Sequence, residues 1–200
     1  MKKVILASSS PRRSELLSTL IGQDFEVIVS SYDEKAVEGL SPVDLVMHHS
    51  REKAFAVAEK LAEGIIISAD TVVVCDGEIL GKPDNSDDAE RMLKKMSGTK
   101  IQVISGITVM DVVSGSEFTE HEITDVWMRQ MSESIIRKYV NTGEAEGKAG
   151  AFAIQGKGAI LVERIEGDFF NVVGLPLYRL SQVLEKSGID VFGKVPENEN

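Results

Sequence analysis

The sequence predicts an α/β fold: one domain of two lobes with a cleft between them, built on a mixed β-sheet flanked by helices. Two observations carry that expectation. Strand-like and helix-like segments alternate along the chain, the pattern of βα units. Hairpin-connected strands interrupt that series, which adds antiparallel pairs to the sheet. With 200 residues, 42% of them hydrophobic and 27% charged, the chain is long enough to bury roughly two-thirds or more of its unfolded surface without staples. The domain is expected over residues 1–192, and residues 193–200, which lack hydrophobic content, are expected to form a flexible tail.

Each element has its own signal. Lys3 to Ala7 reads as a buried strand closed by a serine run, and Pro11 suits the first turn of a helix over Arg12 to Leu20 with Ser10 as its cap. A second strand is expected at Asp24 to Val29, then an acidic loop from Ser30 to Leu40. Ser41-Pro42 opens a helix to about Ala62, with Val46, Ala54, Ala58 and Leu61 on one face and Gly64 as its stop. Ile65 to Cys75 is the most continuous apolar run, and Asp76-Gly77 after it is a hairpin signal. Asn85 to Met96 reads as a helix. Lys100 to Val113 and Phe118 to Met128 read as strands joined at Ser114-Gly115, followed by a helix over Ser132 to Val140. Ala159 to Ile165 is the last expected strand and Gly174 to Lys186 the last helix.

Charge and cysteine content exclude several function classes. Twenty-two Lys and Arg against 32 Asp and Glu give a net charge of -10, which argues against a partner that is a nucleic acid polymer or an anionic membrane. Any anionic ligand must therefore meet a local basic cluster. A single cysteine, Cys75, excludes an intramolecular disulfide framework. The short apolar run at the N-terminus ends at Ser8, too early for a signal-peptide core, so the expected address is cytoplasmic.

The polar residues in unusual places point to anion chemistry. Ser8, Ser9, Ser10, Pro11, Arg12 and Arg13 put hydroxyls, free backbone amides and two guanidiniums at a strand-to-helix junction. Helix N-termini attract anions and guanidiniums grip phosphate oxygens, although a serine cap with two solvated arginines is the plainer reading. Asp70 interrupts an apolar strand, where a carboxylate must be paired, bind metal or do chemistry. Lys82 follows one hairpin later. Lys53 lies beside the apolar face of the long helix, and Asp33 and Glu34 are candidate metal ligands in an acidic loop. His48 and His49 point in divergent directions and receive no catalytic role. No P-loop pattern surrounds Gly81-Lys82-Pro83, and no nucleophile elbow surrounds the serines. Glycines, Phe152 and the Gln155 amide in the segment from Lys148 to Gly158 are parts from which a base-reading pocket is built.

Taken together, these blocks resemble the Maf family of nucleoside triphosphate pyrophosphatases. The likeness runs through Leu6 to Arg13, Asp33-Glu34, Lys53-Ala54, Ala69 to Val73, Gly81-Lys82-Pro83, Ser97-Gly98, Lys148-Ala149-Gly150, Ile154-Gln155-Gly156 and Asn171 to Pro176. The resemblance implies an elongated mixed sheet, commonly a homodimer, and a divalent-metal-dependent enzyme (Mg²⁺ or Mn²⁺) that releases pyrophosphate from a nucleoside triphosphate. Thr71 and Gln155 look like the dTTP/UTP branch rather than the 7-methyl-GTP branch. Asp70 matches the family's proton acceptor, and Arg12, Thr71 and Gln155 match positions associated with substrate choice. Substrate binding is expected at Ser8, Ser10, Arg12, Arg13, Lys53, Thr71, Lys82 and Gln155, and the metal is expected at Glu34 and Asp70. Where the family often has His, Thr and Asp, this chain has Ile101, Ser105 and Gly147. Two alternatives accompany this expectation: a nucleotide-sensing regulator of cell division, and a pyrophosphatase for another modified nucleotide. A pure sensor gains nothing from a buried carboxylate beside a triphosphate.

Overall fold

The computed structural model describes residues 3–34, 37 and 39–192, so the expected tail lies outside the described residues. In chain order the elements are β1 (Val4–Leu6), α1 (Pro11–Ile21), β2 (Phe25–Val27), α2 (Pro42–Ala58), β3 (Ile65–Cys75), β4 (Glu78–Leu80), α3 (Ser86–Met96), β5 (Lys100–Asp111), β6 (Glu117–Met128), α4 (Glu133–Val140), β7 (Val162–Glu166), α5 (Phe169–Val173) and α6 (Leu177–Lys186). The strands form one mixed sheet in the order β2-β1-β3-β5-β6-β7, with β4 also paired to β3. β1 is parallel to both β2 and β3, and the remaining pairs are antiparallel.

Period-two alternation in β3 divides its side chains between two layers. Ile65, Ile67 and Ala69 pack with Leu16 and Leu17 of α1 and Leu180 of α6, whereas Ile66 packs on the other face with Ala54 and Val57 of α2. Asp70 therefore faces α2, and Thr71 faces the side of α1. A separate cluster joins Leu80, Leu93, Met96, Ile136 and Tyr139 around β4, α3 and α4.

The sheet is split along one edge of β3. β1 pairs with Ile65–Ile67 and β4 pairs with Val73–Cys75 on the same side, while β5 covers the other side throughout. The last bond from the β1 end is the Ala7 amide to the Ile67 carbonyl at 2.7 Å. Among the described residues, 68–72 thus have one edge free of strand partners. That opening lies at the C-terminal end of β1, where successive crossovers pass to opposite faces, the position at which open α/β sheets bind ligands.

Several boundaries differ from those the sequence predicts. β2 is three residues long because its one partner, β1, turns away into the serine run. α2 ends at Ala58, short of Ala62, as three-residue turns at Lys60 and Leu61 tighten the chain toward Gly64. The last strand begins at Val162, since residues Gly156–Leu161 form a 3₁₀ turn whose Lys157 and Gly158 amides are taken by the Glu144 carboxylate. A short α5 forms between the last strand and the last helix, where the sequence predicts no element, and is capped by the Asp168 carboxylate accepting from the Phe170 amide. Ser10 has the extended backbone of an N-cap, but its hydroxyl makes no capping bond.

α2 reaches its position through close approach to β5 at Gly106. A Cβ there would run into the Val46 carbonyl and stand 2.7 Å from the Met47 amide. Backbone cannot rotate aside, so Gly106→Ala is expected to destabilise the fold by about 3 kcal/mol, the upper part of the overpacking range. Urea unfolding monitored by circular dichroism checks this; a change below about 0.5 kcal/mol would show that α2 can slide.

Candidate active site

A cavity of about 460 Å³ occupies the split edge of β3, lined by the serine-arginine segment after β1 and by Glu34, Lys53, Thr71, Lys82, Lys148 and Gln155. All eight expected substrate-binding residues line it. Pro11 occupies the first helical position of α1, and the Ser8 hydroxyl accepts from the Ser10 amide at 3.2 Å. With the Ser10 hydroxyl not capping, the first-turn amides of α1 and the positive end of its dipole are left for an anion.

The two arginines divide their work. Arg13 turns inward, donating through Nε to the Gly174 carbonyl at 2.9 Å, through one terminal nitrogen to the Ala69 carbonyl at 2.8 Å and through the other to Thr71 Oγ1 at 3.0 Å. It fills the open edge of β3 and ties it to the turn after α5. Arg12 and Lys148 remain for a ligand. Burial lowers the pKa of both, and the charge of Arg12 lowers Lys148 further. An anion placed near the pair relieves that repulsion. Lys82 lines the same cavity with its side chain largely exposed.

Lys53 goes to the carboxylates. Its ammonium stands 2.6 Å from Asp70 Oδ1 and 2.7 Å from Glu34 Oε1, with Lys53 7% and Asp70 5% exposed. Asp70 sits behind Lys53 rather than in the cavity lining. Burial raises the pKa of the Glu34 carboxyl, but the hydrogen bond and charge of Lys53, aided by Lys82 and Arg13, outweigh it and leave the pKa below the usual value. Among the described residues no group of three or more His, Cys, Asp or Glu side chains is placed to hold a metal ion. Two adjacent carboxylates nevertheless fit Mg²⁺ or Mn²⁺, because Mg²⁺ characteristically takes one or two carboxylates and completes its shell with phosphate oxygens and water. An all-protein cage is not required.

Tyr32 was not anticipated. It lines the cavity, and its hydroxyl lies 3.0 Å from His49 Nδ1 and 3.5 Å from His48 Nε2. Contrary to the divergence expected from their adjacent helix positions, the two imidazoles lie with ring centroids 5.7 Å apart and both reach the Tyr32 hydroxyl. Burial lowers the pKa of His49, favouring the neutral imidazole, and Asp70 only partly opposes this.

At the other end of the cavity Thr71 is fixed by Arg13 and by Ser105 Oγ at 2.8 Å. Gln155 is exposed at the cavity wall, and its side chain makes no hydrogen bond among the described residues. The loop that carries it is held from outside by Glu144 and Tyr139, which sequence reasoning missed. The local signals were the glycines at 156 and 158: a Cβ at the first would collide with the Glu144 carboxylate, and one at the second would approach the Tyr139 hydroxyl to 2.8 Å.

Residues 3–187 match the family model for Maf-like proteins. A dTTP/UTP pyrophosphatase of Methanococcoides burtonii is 58% identical over 192 residues, covering 96% of this chain and 98% of that protein. A dTTP/UTP pyrophosphatase of Methanosarcina mazei is 56% identical over the same length, with 96% and 98% covered. Among solved structures, a HAM1 protein from Coxiella burnetii aligns over 93% of this chain and 100% of its own with a TM-score of 0.51. At 16% identity that likeness shows the fold alone. A family match running from β1 to the end of α6, together with relatives more than half identical over almost their full length, establishes that the chain belongs to the Maf-like protein family.

Proposed function

We propose that this chain is a Mg²⁺- or Mn²⁺-dependent pyrophosphatase that hydrolyses dTTP and UTP to the nucleoside monophosphate and pyrophosphate. One observation carries the reading: a single cavity joins the uncapped start of α1, the Arg12 and Lys148 cations, and the Glu34-Lys53 ion pair, behind which Asp70 contacts Lys53. The names of the two relatives support it. The separate cores around α1 and around α3 and α4 support the two-lobed arrangement.

Arg12, Lys82, Lys148 and the first-turn amides of α1 offset the triphosphate's charge in a protein whose net charge of -10 repels it. Glu34 or Asp70 would hold the divalent cation, which would supply Lewis-acid withdrawal of charge from the phosphate oxygens. Asp70 Oδ1 is taken by Lys53, which leaves Oδ2 to accept the proton of the attacking water. Lys53, bonded to Oδ1, fixes the position of the base. Gln155 reads the pyrimidine edge, donating to a carbonyl and accepting from the ring N–H, while Thr71 limits the depth of the pocket. CTP lacks that pattern, which makes it the poorer pyrimidine substrate.

A nucleotide panel in ¹⁸O-water with Mg²⁺ or Mn²⁺ tests the proposal. The expected result is pyrophosphate release with label in the monophosphate, and kcat/KM at least about tenfold higher for UTP and dTTP than for CTP or GTP. Label confined to pyrophosphate, or release of single phosphate, refutes attack at the α-phosphorus. Tight nucleotide binding without turnover favours the sensing role instead.

A further inference from the structure

The loop presenting Gln155 owes its shape to a carboxylate that lies outside the cavity. Glu144, just after α4, accepts from the Lys157 amide through Oε1 at 3.0 Å and from the Gly158 amide through Oε2 at 2.7 Å. Tyr139, 5% exposed on α4, accepts the Ala153 amide on its hydroxyl at 3.1 Å and lies close enough to Glu144 for each to shift the other's pKa. Both ends of the segment 153–158 are therefore pinned by two neighbouring side chains. Burial raises the pKa of Glu144, but the two amides and Tyr139 outweigh it and hold the carboxyl below its usual range. An ionised carboxylate is what two consecutive N–H donors require.

The glycines of the loop fit this clamp. Gly156 has φ +84° and a Cβ there would collide with the Glu144 carboxylate; at Gly158 a Cβ would collide with the Ala153 carbonyl. The backbone lies against its clamp with no room for a side chain. Because Gln155 makes no side-chain hydrogen bond among the described residues, its placement is inherited from that backbone.

We propose that Glu144 is a specificity-setting positioning residue: by gripping the Lys157 and Gly158 amides it fixes where Gln155 stands against the base, although it touches no substrate. The inference rests on the reading that Gln155 meets the base of UTP or dTTP. Glu144 also lies close enough to Arg12 to influence its charge, so one residue braces the base-reading loop beside a cation of the triphosphate site.

The test measures kcat/KM for UTP and CTP in wild-type protein, Glu144→Ala, Glu144→Gln and Tyr139→Phe, each checked for native circular dichroism. Glu144→Ala frees both amides, and the UTP/CTP ratio is expected to fall about tenfold, chiefly through KM for UTP. Glu144→Gln keeps one acceptor and turns a donor toward the other amide, so it is expected to fall between wild type and Ala. Tyr139→Phe moves the ratio in the same direction by about threefold. A merely structural role lowers both substrates alike. An unchanged ratio in the folded variants therefore overturns the inference, and if Glu144→Ala does not fold, Glu144→Gln and Tyr139→Phe decide. Wild-type protein that splits UTP and CTP equally also overturns it. Wild-type protein that splits neither defeats the pyrophosphatase reading itself and this inference with it.

Discussion

Asp70→Asn is expected to lower turnover by at least about a hundredfold while leaving the protein folded and able to bind nucleotide. The amide keeps the volume of the carboxylate on the α2 face of β3 but cannot take a proton, and a positioned base contributes typically a hundredfold or more. The fold survives because Lys53 does not lose its only counter-charge: Glu34 remains 2.7 Å from the ammonium. Binding survives because Arg12, Lys82, Lys148 and the start of α1 line the cavity independently of Asp70. Steady-state kinetics with UTP, calorimetric titration with a non-hydrolysable analogue and circular dichroism separate the three properties. A loss of only a few-fold in kcat would remove Asp70 from the role of base.

The sequence made the strand around Asp70 legible because apolar periodicity and a turn signal bracket it, and the same holds for α3, where Asn85 caps and Met92, Leu93 and Met96 face inward. The strand order was less legible, because pairing of both β1 and β4 with one edge of β3 depends on register and leaves no local mark. Asp70 stood out as a charge in an apolar run. What it bonds to did not, since Lys53 and Glu34 come from a helix and a loop far away in sequence. Arg12 and Arg13 look equivalent as neighbours, yet helical geometry sends them about 100° apart, one to the cavity and one to the carbonyls of Ala69 and Gly174. Glu144 escaped notice for a different reason: an acidic residue after a helix is usually solvated, and only the folded loop reveals the two amides it accepts.

Lys53→Met is expected to be the most destabilising of these substitutions. Methionine keeps the apolar stem that packs in α2 but removes the charge between two carboxylates, one of them, Asp70, only 5% exposed. Removing one partner of a buried ion pair costs about 3–5 kcal/mol, because the other charge is left desolvated and unpaired. Glu34 is more exposed and adds little to that figure. At about 3 kcal/mol, a chain of this size loses roughly 6–12 °C in Tm. The pH dependence follows from Glu34, whose pKa is depressed in the folded state. A depressed carboxyl contributes stability above its unfolded pKa and loses it as pH falls through the folded value. Lys53 is a principal source of that depression, so the variant should lose less stability than wild type on acidification across this window. Asp70→Asn in the Lys53→Met background removes the orphaned charge, and the double variant is expected to recover most of the loss, a coupling that additive behaviour would disprove. A loss below about 1 kcal/mol at pH 7 would mean that the Lys53 charge is not committed to the carboxylates, and would return it to the triphosphate as a fourth phosphate cation beside Arg12, Lys82 and Lys148.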